Sequence, residues 1–194
     1  MHERLHEFVD AVGRLSAANR SPVDVAAGVA ERLHDLIVDC DFLESAHRRT
    51  NPSEPCANLV HVAPDRSFSV VSFVWGPGQT TCVHDHVCWC VVGVLEGSEE
   101  ETRYRLMGDA GGSWLEPGER RRLYPGEVCV LVPPDEDVHQ VRNVGDDVAI
   151  SIHVYGADIE RLGTSINRRF SDLPMHAPGE RSGAPQRWRQ RPPA

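Results

Sequence analysis

The sequence predicts a mainly β barrel or sandwich carrying α-helices at its N-terminus. Two observations carry this: apolar residues recur at helical spacing over the first fifty positions, and from about residue 57 the period drops to two. A third is the punctuation of the second region, where Gly and Pro clusters separate short runs rich in β-branched and aromatic residues. At 194 residues, with 40% hydrophobic and 25% charged side chains, the chain suits one globular domain with a core of its own.

Residues 1–50 form the expected helical segment. Leu5, Phe8, Val9, Val12 and Leu15 line one face of a first helix. A second begins near Pro22 and presents Val25, Ala26, Val29, Leu33, Leu36 and Ile37. The turn formers of "RRTNPSEP" end it. Residues 51–170 are the expected barrel, with strands in "FSVVSFVWG", "VCWCVVGVLEG", "EETRYRLM", "EVCVLV", "HQVRNV" and "VAISIHVYG". Breaks fall at "GPG" 76–78, "GDAGG" 108–112, "EPGE" 116–119 and "YPGE" 124–127. Residues 171–194, rich in Pro, Gly and Arg and containing Trp188, read as a disordered tail with too few apolar residues to pack.

A net charge of −9 argues against binding nucleic acid, because no basic excess is available for phosphates. The opening "MHERLHEFVDAVGRL" has no apolar stretch before a small-residue cleavage site, and no segment has the length and apolarity of a membrane span. A cytoplasmic protein is expected. There Cys40, Cys56, Cys82, Cys88, Cys90 and Cys129 stay reduced, and a disulfide framework is not expected.

The chemistry concentrates in "VHDHVCWC". Successive side chains of a strand point to opposite faces, so His84, His86, Cys88 and Cys90 would share one face if a single strand carried them all. Two imidazoles one residue apart are a plausible metal pair, since neutral imidazole is the commonest protein metal ligand. Gly78, His84, His86, Cys90 and Gly97 have the spacing of the first cupin motif, with Cys90 where many cupins have a glutamate ligand. Gly126, Pro133, His139 and Asn143 resemble the second, although the stretch before the histidine is slightly long and the glycine after the proline is missing. The resemblance to cupins covers roughly residues 57–156 and implies a double-stranded β-helix, or jelly-roll, barrel.

Within the cupins, "FVWGPGQTTCVHDH" and "SIHVYGA", with the helical N-terminus, resemble the cysteine dioxygenase and 3-mercaptopropionate dioxygenase group. That resemblance implies Fe(II) held by His84, His86 and His139, a small thiol and O2 as partners, and a sulfinate product. It also implies a Ser151, His153, Tyr155 relay beside the metal, on alternate positions of one strand. Cys90 aligns with a cysteine that forms a thioether to the relay tyrosine in animal enzymes, where bacterial relatives usually have glycine; a cross-link and a small buried thiol both remain open here. The position that reads the substrate carboxylate on an early strand falls on Asn58, which supplies no charge. The later arginine of the bacterial enzymes falls on Arg168 or Arg169, with Arg168 the first choice. Asn58, Cys88 and the extra residues before Arg168 leave open a specialised thiol oxygenase acting on another thiol or beyond sulfinate. A non-catalytic metal-binding cupin and a zinc or nickel site using Cys88 or Cys90 are the remaining alternatives.

Overall fold

The computed structural model describes residues 2–38, 42–134 and 137–186; Cys40 and Trp188 lie outside these. Helix α1 (Glu3–Ala17) starts where the His2 ring accepts the Arg4 N–H, and buries Leu5, Phe8, Val9 and Val12. Helix α2 (Pro22–Val38) has Pro22 as its first residue, where a missing N–H costs nothing, and Ser21 Oγ accepts the Asp24 N–H at 3.2 Å. Its buried stripe comprises the six apolar residues expected of it. Among the described residues no helix is long and apolar enough to cross a membrane.

The strands are β1 (Cys56–Val62), β2 (Ser69–Trp75), β3 (His84–His86), β4 (Cys90–Glu96), β5 (Glu99–Asp109), β6 (Gly112–Leu123), β7 (Val128–Leu131), β8 (His139–Asn143), β9 (Ala149–Tyr155), β10 (Ile166–Arg169) and β11 (Ala184–Pro185), with a short helix α3 (Ile159–Leu162) before β10. They form two antiparallel sheets. One runs β1-β2-β9-β4-β7; the other runs β10-β3-β8-β5-β11, with β6 paired to β5.

The inner strands β2, β9 and β4 of the first sheet are buried on both faces, which explains why β4 and β9 read as nearly continuous apolar runs. Its outer face, with Val70, Val74, Val91, Leu95, Ile150, Ile152 and Val154, packs on the two helices. Its inner face, with Val71, Cys90, Val92, Val94 and Tyr155, looks across the barrel. Gly93 lets the helices approach: a Cβ there would lie 2.8 Å from Ile37 Cδ1 and 3.0 Å from Leu33 Cδ2. Gly97 is needed for a different reason. It ends the turn after β4 at φ +73°, with the Ala149 backbone 2.8 Å from where a Cβ would sit.

Three local expectations change. His84 and Cys90 do not share one strand: the chain leaves the second sheet after His86, bends through Val87, Cys88 and Trp89, and enters the first sheet at Cys90. "EPGE" is no strand break either. Pro117 pairs with Tyr104 and Arg120 with Thr102, so the extra residues form a bulge inside one long hairpin. Finally, part of the segment read as a tail packs. Ala184 and Pro185 pair with Gly108 and Met107, Met175 bridges to Leu115, and the Arg181 guanidinium lies 4.5 Å over the Trp114 ring.

Gly93→Val is expected to overfill the contact between α2 and β4 and to cost about 1–3 kcal/mol of stability, read as a lower urea midpoint with unchanged m-value.

Candidate metal centre

His84 and His86 face the barrel interior from β3, and His84 is the register partner of His139 on β8. Pairing these two short strands therefore brings the third imidazole to the other two. Ring centroids lie 4.7 Å apart for His84 and His139, and 4.9 Å apart for each of the other two pairs.

Each ring is oriented by its Nδ1. His84 Nδ1 lies 2.9 Å from the Cys82 carbonyl, His86 Nδ1 2.7 Å from Asp137 Oδ1, and His139 Nδ1 2.9 Å from Glu101 Oε1. A carbonyl or carboxylate oxygen accepts, so each Nδ1 carries the proton and each Nε2 keeps its lone pair. Asp137 also accepts the His86 backbone N–H at 2.8 Å, which ties ring and strand to one carboxylate. The three ligand atoms lie within 4.8 Å of one another, and His139 Nε2 is buried with no hydrogen-bond partner. A neutral, three-nitrogen donor set with an orphaned buried nitrogen fits a divalent metal ion.

The electrostatics agree. Burial, reinforced by His139 and His86, pushes His84 down to about 2. Burial lowers His139 as well, against the opposing pull of Glu101. Burial would raise Glu101, but the hydrogen bond from His139 and the charge of Arg103 outweigh it and hold the carboxyl below its usual range. The cysteines differ. Burial raises Cys88 to about 12 and raises Cys90 as well, and no cysteine joins the three-histidine cluster among the described residues. Cys56, Cys82, Cys88, Cys90 and Cys129 are all free thiols.

Beside the histidines, β9 turns three polar side chains inward. Ser151 Oγ lies 2.9 Å from His153 Nε2, and His153 Nδ1 lies 3.1 Å from the Tyr155 hydroxyl. The Tyr155 ring is 6.2 Å from that of His86, and Phe73 packs on His153 at 4.4 Å. Burial lowers His153 and raises Tyr155, so both are neutral; Ser165 also hydrogen-bonds the phenol. Cys90 is the register partner of Tyr155 on the neighbouring strand.

The family described as cysteine dioxygenase type I matches residues 16–164. The chain belongs to the cysteine dioxygenase type I family. This makes it a cupin dioxygenase, and its three-histidine cluster supports a non-haem metal thiol dioxygenase. Solved structures similar to this family member include an uncharacterised protein with a double-stranded β-helix domain from Klebsiella pneumoniae, 22% identical over 61% of this chain and 91% of that one, with a TM-score of 0.44. A protein of Thermus thermophilus is 25% identical over 57% and 90% of the two chains, with a TM-score of 0.42. An RmlC-like cupin from Desulfovibrio desulfuricans is 26% identical over 60% and 94%, also with a TM-score of 0.42.

In this cysteine dioxygenase family member Asn58 and Arg168, the two residues expected to bind substrate, have protein partners of their own. Asn58 pairs with Ser72, so it shares the helix-facing side of the sheet, and it is tied to the Arg49 carbonyl and guanidinium at 3.1 Å. Arg168 pairs with Asp85, the residue between the two histidines that points the opposite way, and binds its carboxylate at 2.6 and 2.8 Å. Its neighbour Arg169 pairs with His84, lies 3.2 Å from Cys82 Sγ, and helps depress the His84 pKa. Sequence reasoning did not single out Glu101, Asp137, Trp75 or Ser165. For Glu101 a signal existed: alternation along "SEEETRYR" puts Glu99, Glu101 and Arg103 on one face. Asp137 is also within two residues of His139.

Asp137→Asn would set an amide N–H₂ against a backbone or ring N–H. Metal affinity is expected to fall about 10- to 100-fold, measured by competition with a chromophoric chelator, while the far-UV spectrum stays native.

Proposed function

We propose that the protein is an Fe(II)-dependent thiol dioxygenase that adds both atoms of O2 to the sulfur of a small thiol and yields a sulfinate. The observation that carries this reading is the convergence of three neutral imidazoles, each held by an oxygen at Nδ1, next to a buried Ser-His-Tyr chain in a member of the cysteine dioxygenase type I family. The expected setting is a reducing cytoplasm, which keeps both the substrate and the five described cysteines as thiols.

When bound, ferrous iron supplies a site for thiolate and O2 and the redox chemistry that moves oxygen to sulfur. The chain's own residues do the rest. Asp137, Glu101 and the Cys82 carbonyl hold the rings as Nδ1–H tautomers, so that three lone pairs meet without a negative ligand. A carboxylate-free donor set leaves charge for the substrate thiolate to supply. Ser151 and His153 hold the Tyr155 hydroxyl beside His86, where it can direct a hydrogen bond at a reacting oxygen. Val71, Phe73 and Cys90 close the neighbouring wall and keep water out.

For the substrate carboxylate, Arg169 is the better-supported partner than Arg168. Arg168 directs Nε and Nη2 at buried Asp85, whereas Arg169 shares the His84 register position and is exposed. A thiol carrying a carboxylate one or two carbons away, such as cysteine or 3-mercaptopropionate, suits that arrangement. The orientation of Asn58 and Arg168 supports a second reading, a specialised oxygenase whose thiol differs from both.

Iron-loaded protein is expected to consume oxygen with 3-mercaptopropionate or cysteine and to form a product two oxygen atoms heavier, read by mass spectrometry. Turnover confined to another thiol, or a product with more oxygen, would select the second reading. Arg169→Ala is expected to raise KM for the carboxylate thiols by about 10-fold or more while leaving KM for cysteamine, which has no carboxylate, little changed.

A further inference from the structure

One buried acid has no part in holding the metal. Glu99 is fully buried on β5, and neither of its carboxyl oxygens has a hydrogen-bond partner. Its register partners are Asn143 and Leu123, the latter in the apolar cluster inside the barrel, so the side chain faces inward. Asn143 has no donor to spare: its amide N–H₂ is given to the Trp75 and Asp147 carbonyls. The group that reaches Glu99 is the Ser151 hydroxyl. Burial raises the Glu99 carboxyl to about 8, and hydrogen bonding by Ser151 is what draws it back toward the ionised form. In this structure Ser151 Oγ is engaged by His153 and Trp75, and its bond to Glu99 is not formed.

The hydroxyl of Ser151 has one hydrogen to give, and this makes the chain directional. Trp75 Nε1 only donates, so the bond at 3.1 Å uses one lone pair of Ser151 Oγ. Two arrangements of the rest are then complete. In the first, Glu99 is protonated and donates to Ser151, Ser151 donates to His153 Nε2, and His153 Nδ1–H donates to the Tyr155 oxygen. The phenol hydrogen is then free to point away from His153. In the second, Glu99 is ionised and accepts the Ser151 hydrogen, His153 Nε2–H donates to Ser151, and Nδ1 accepts the hydrogen of Tyr155. The phenol hydrogen is then held by the histidine. The two states differ by one proton. Passing from the first to the second, the Glu99 proton moves to Ser151, that of Ser151 to His153 Nε2, and that of His153 Nδ1 to Tyr155, while the phenol gives its own to an acceptor or to solvent.

We propose that Glu99 is the fourth member of the Ser151, His153, Tyr155 chain, a positioning residue whose protonation selects the His153 tautomer and thereby the direction in which Tyr155 donates. Glu99 acts through Ser151 and does not touch the metal ligands. The titratable or charged groups on the barrel face around it are Glu101 and Arg103 on its own strand, Arg121 on β6, which is paired with Glu127, Cys90 on β4, Cys129 on β7, the metal-facing His84, His86 and His139 on β3 and β8, and His153 and Tyr155 on β9. Glu101 and Arg103 pair with each other, and burial keeps both thiols protonated. Glu99 is thus the member of the set left to exchange a proton with the chain.

The proposal extends the relay of the preceding reading, so its test reads the imidazole and not turnover. Full-length protein labelled with 15N-histidine and loaded with diamagnetic zinc reports which His153 nitrogen carries hydrogen. The wild type is expected to pass from Nδ1–H to Nε2–H as pH rises through about 8. Glu99→Gln, which cannot ionise, should hold one tautomer across that range, and Glu99→Asp should restore the change with a shifted midpoint. A wild-type His153 that keeps the same tautomer throughout overturns the proposal, whether or not the variants fold. So does a change that persists in folded Glu99→Gln. In iron-loaded enzyme active on a thiol, the alkaline fall in kcat should disappear in Glu99→Gln. Absence of any turnover would count against the dioxygenase reading and leave the tautomer result to decide this one.

Discussion

Everything at the centre depends on three Nδ1–H groups that each meet an oxygen. Without the Cys82 carbonyl, Asp137 and Glu101, the rings could turn, and no set of Nε2 lone pairs would converge. These oxygens come from three different places: the loop before β3, the loop before β8, and the start of β5. The metal site is therefore as well ordered as the closure of the second sheet, in which β8 lies between β3 and β5. Asp137 couples the two scales, because the same carboxylate holds the His86 ring and its backbone.

Burial then sets the protonation states. His84, His139 and His153 are held neutral and Cys88, Cys90 and Cys129 protonated by burial in the interior between helices and sheets. This interior is also where unusual polar residues become informative. His153 and Tyr155 find partners along their own strand, and Glu101 finds them in His139 and Arg103. Glu99 alone among the buried carboxylates named here lacks a formed bond, and a carboxyl in that position is held neutral over much of the physiological range.

Charge on the outer side of β3 serves a different end. Asp85 is buried yet points away from the metal, and Arg168 satisfies it through its side chain and backbone N–H. That pairing fastens β10 to the edge of the metal strand, and in doing so it brings Arg169 to the level of His84. Arg168 therefore ties β10 to β3 through one carboxylate, with Nε and Nη2 on Oδ2 and its backbone N–H on Oδ1.

The amino-acid sequence alone determined the helical N-terminus, the change of period near residue 57, the two spaced motifs that bring His84, His86 and His139 into consideration, and the alternation of Ser151, His153 and Tyr155. These are local patterns, written in spacings of two to seven residues, and local backbone geometry reads them directly. What it left undecided was every question of pairing. The break between His86 and Cys90, the facing of Asn58 toward the helices, the pairing of Arg168 with Asp85 and of Arg169 with His84, and the bulge at Pro117 each depend on strand register, where a shift of one residue exchanges the two faces of a sheet. The partners of the histidines and the isolation of Glu99 depend further on side chains brought together from distant parts of the chain. Only the closed barrel decides them, because burial and hydrogen-bond geometry exist only once its sheets have met.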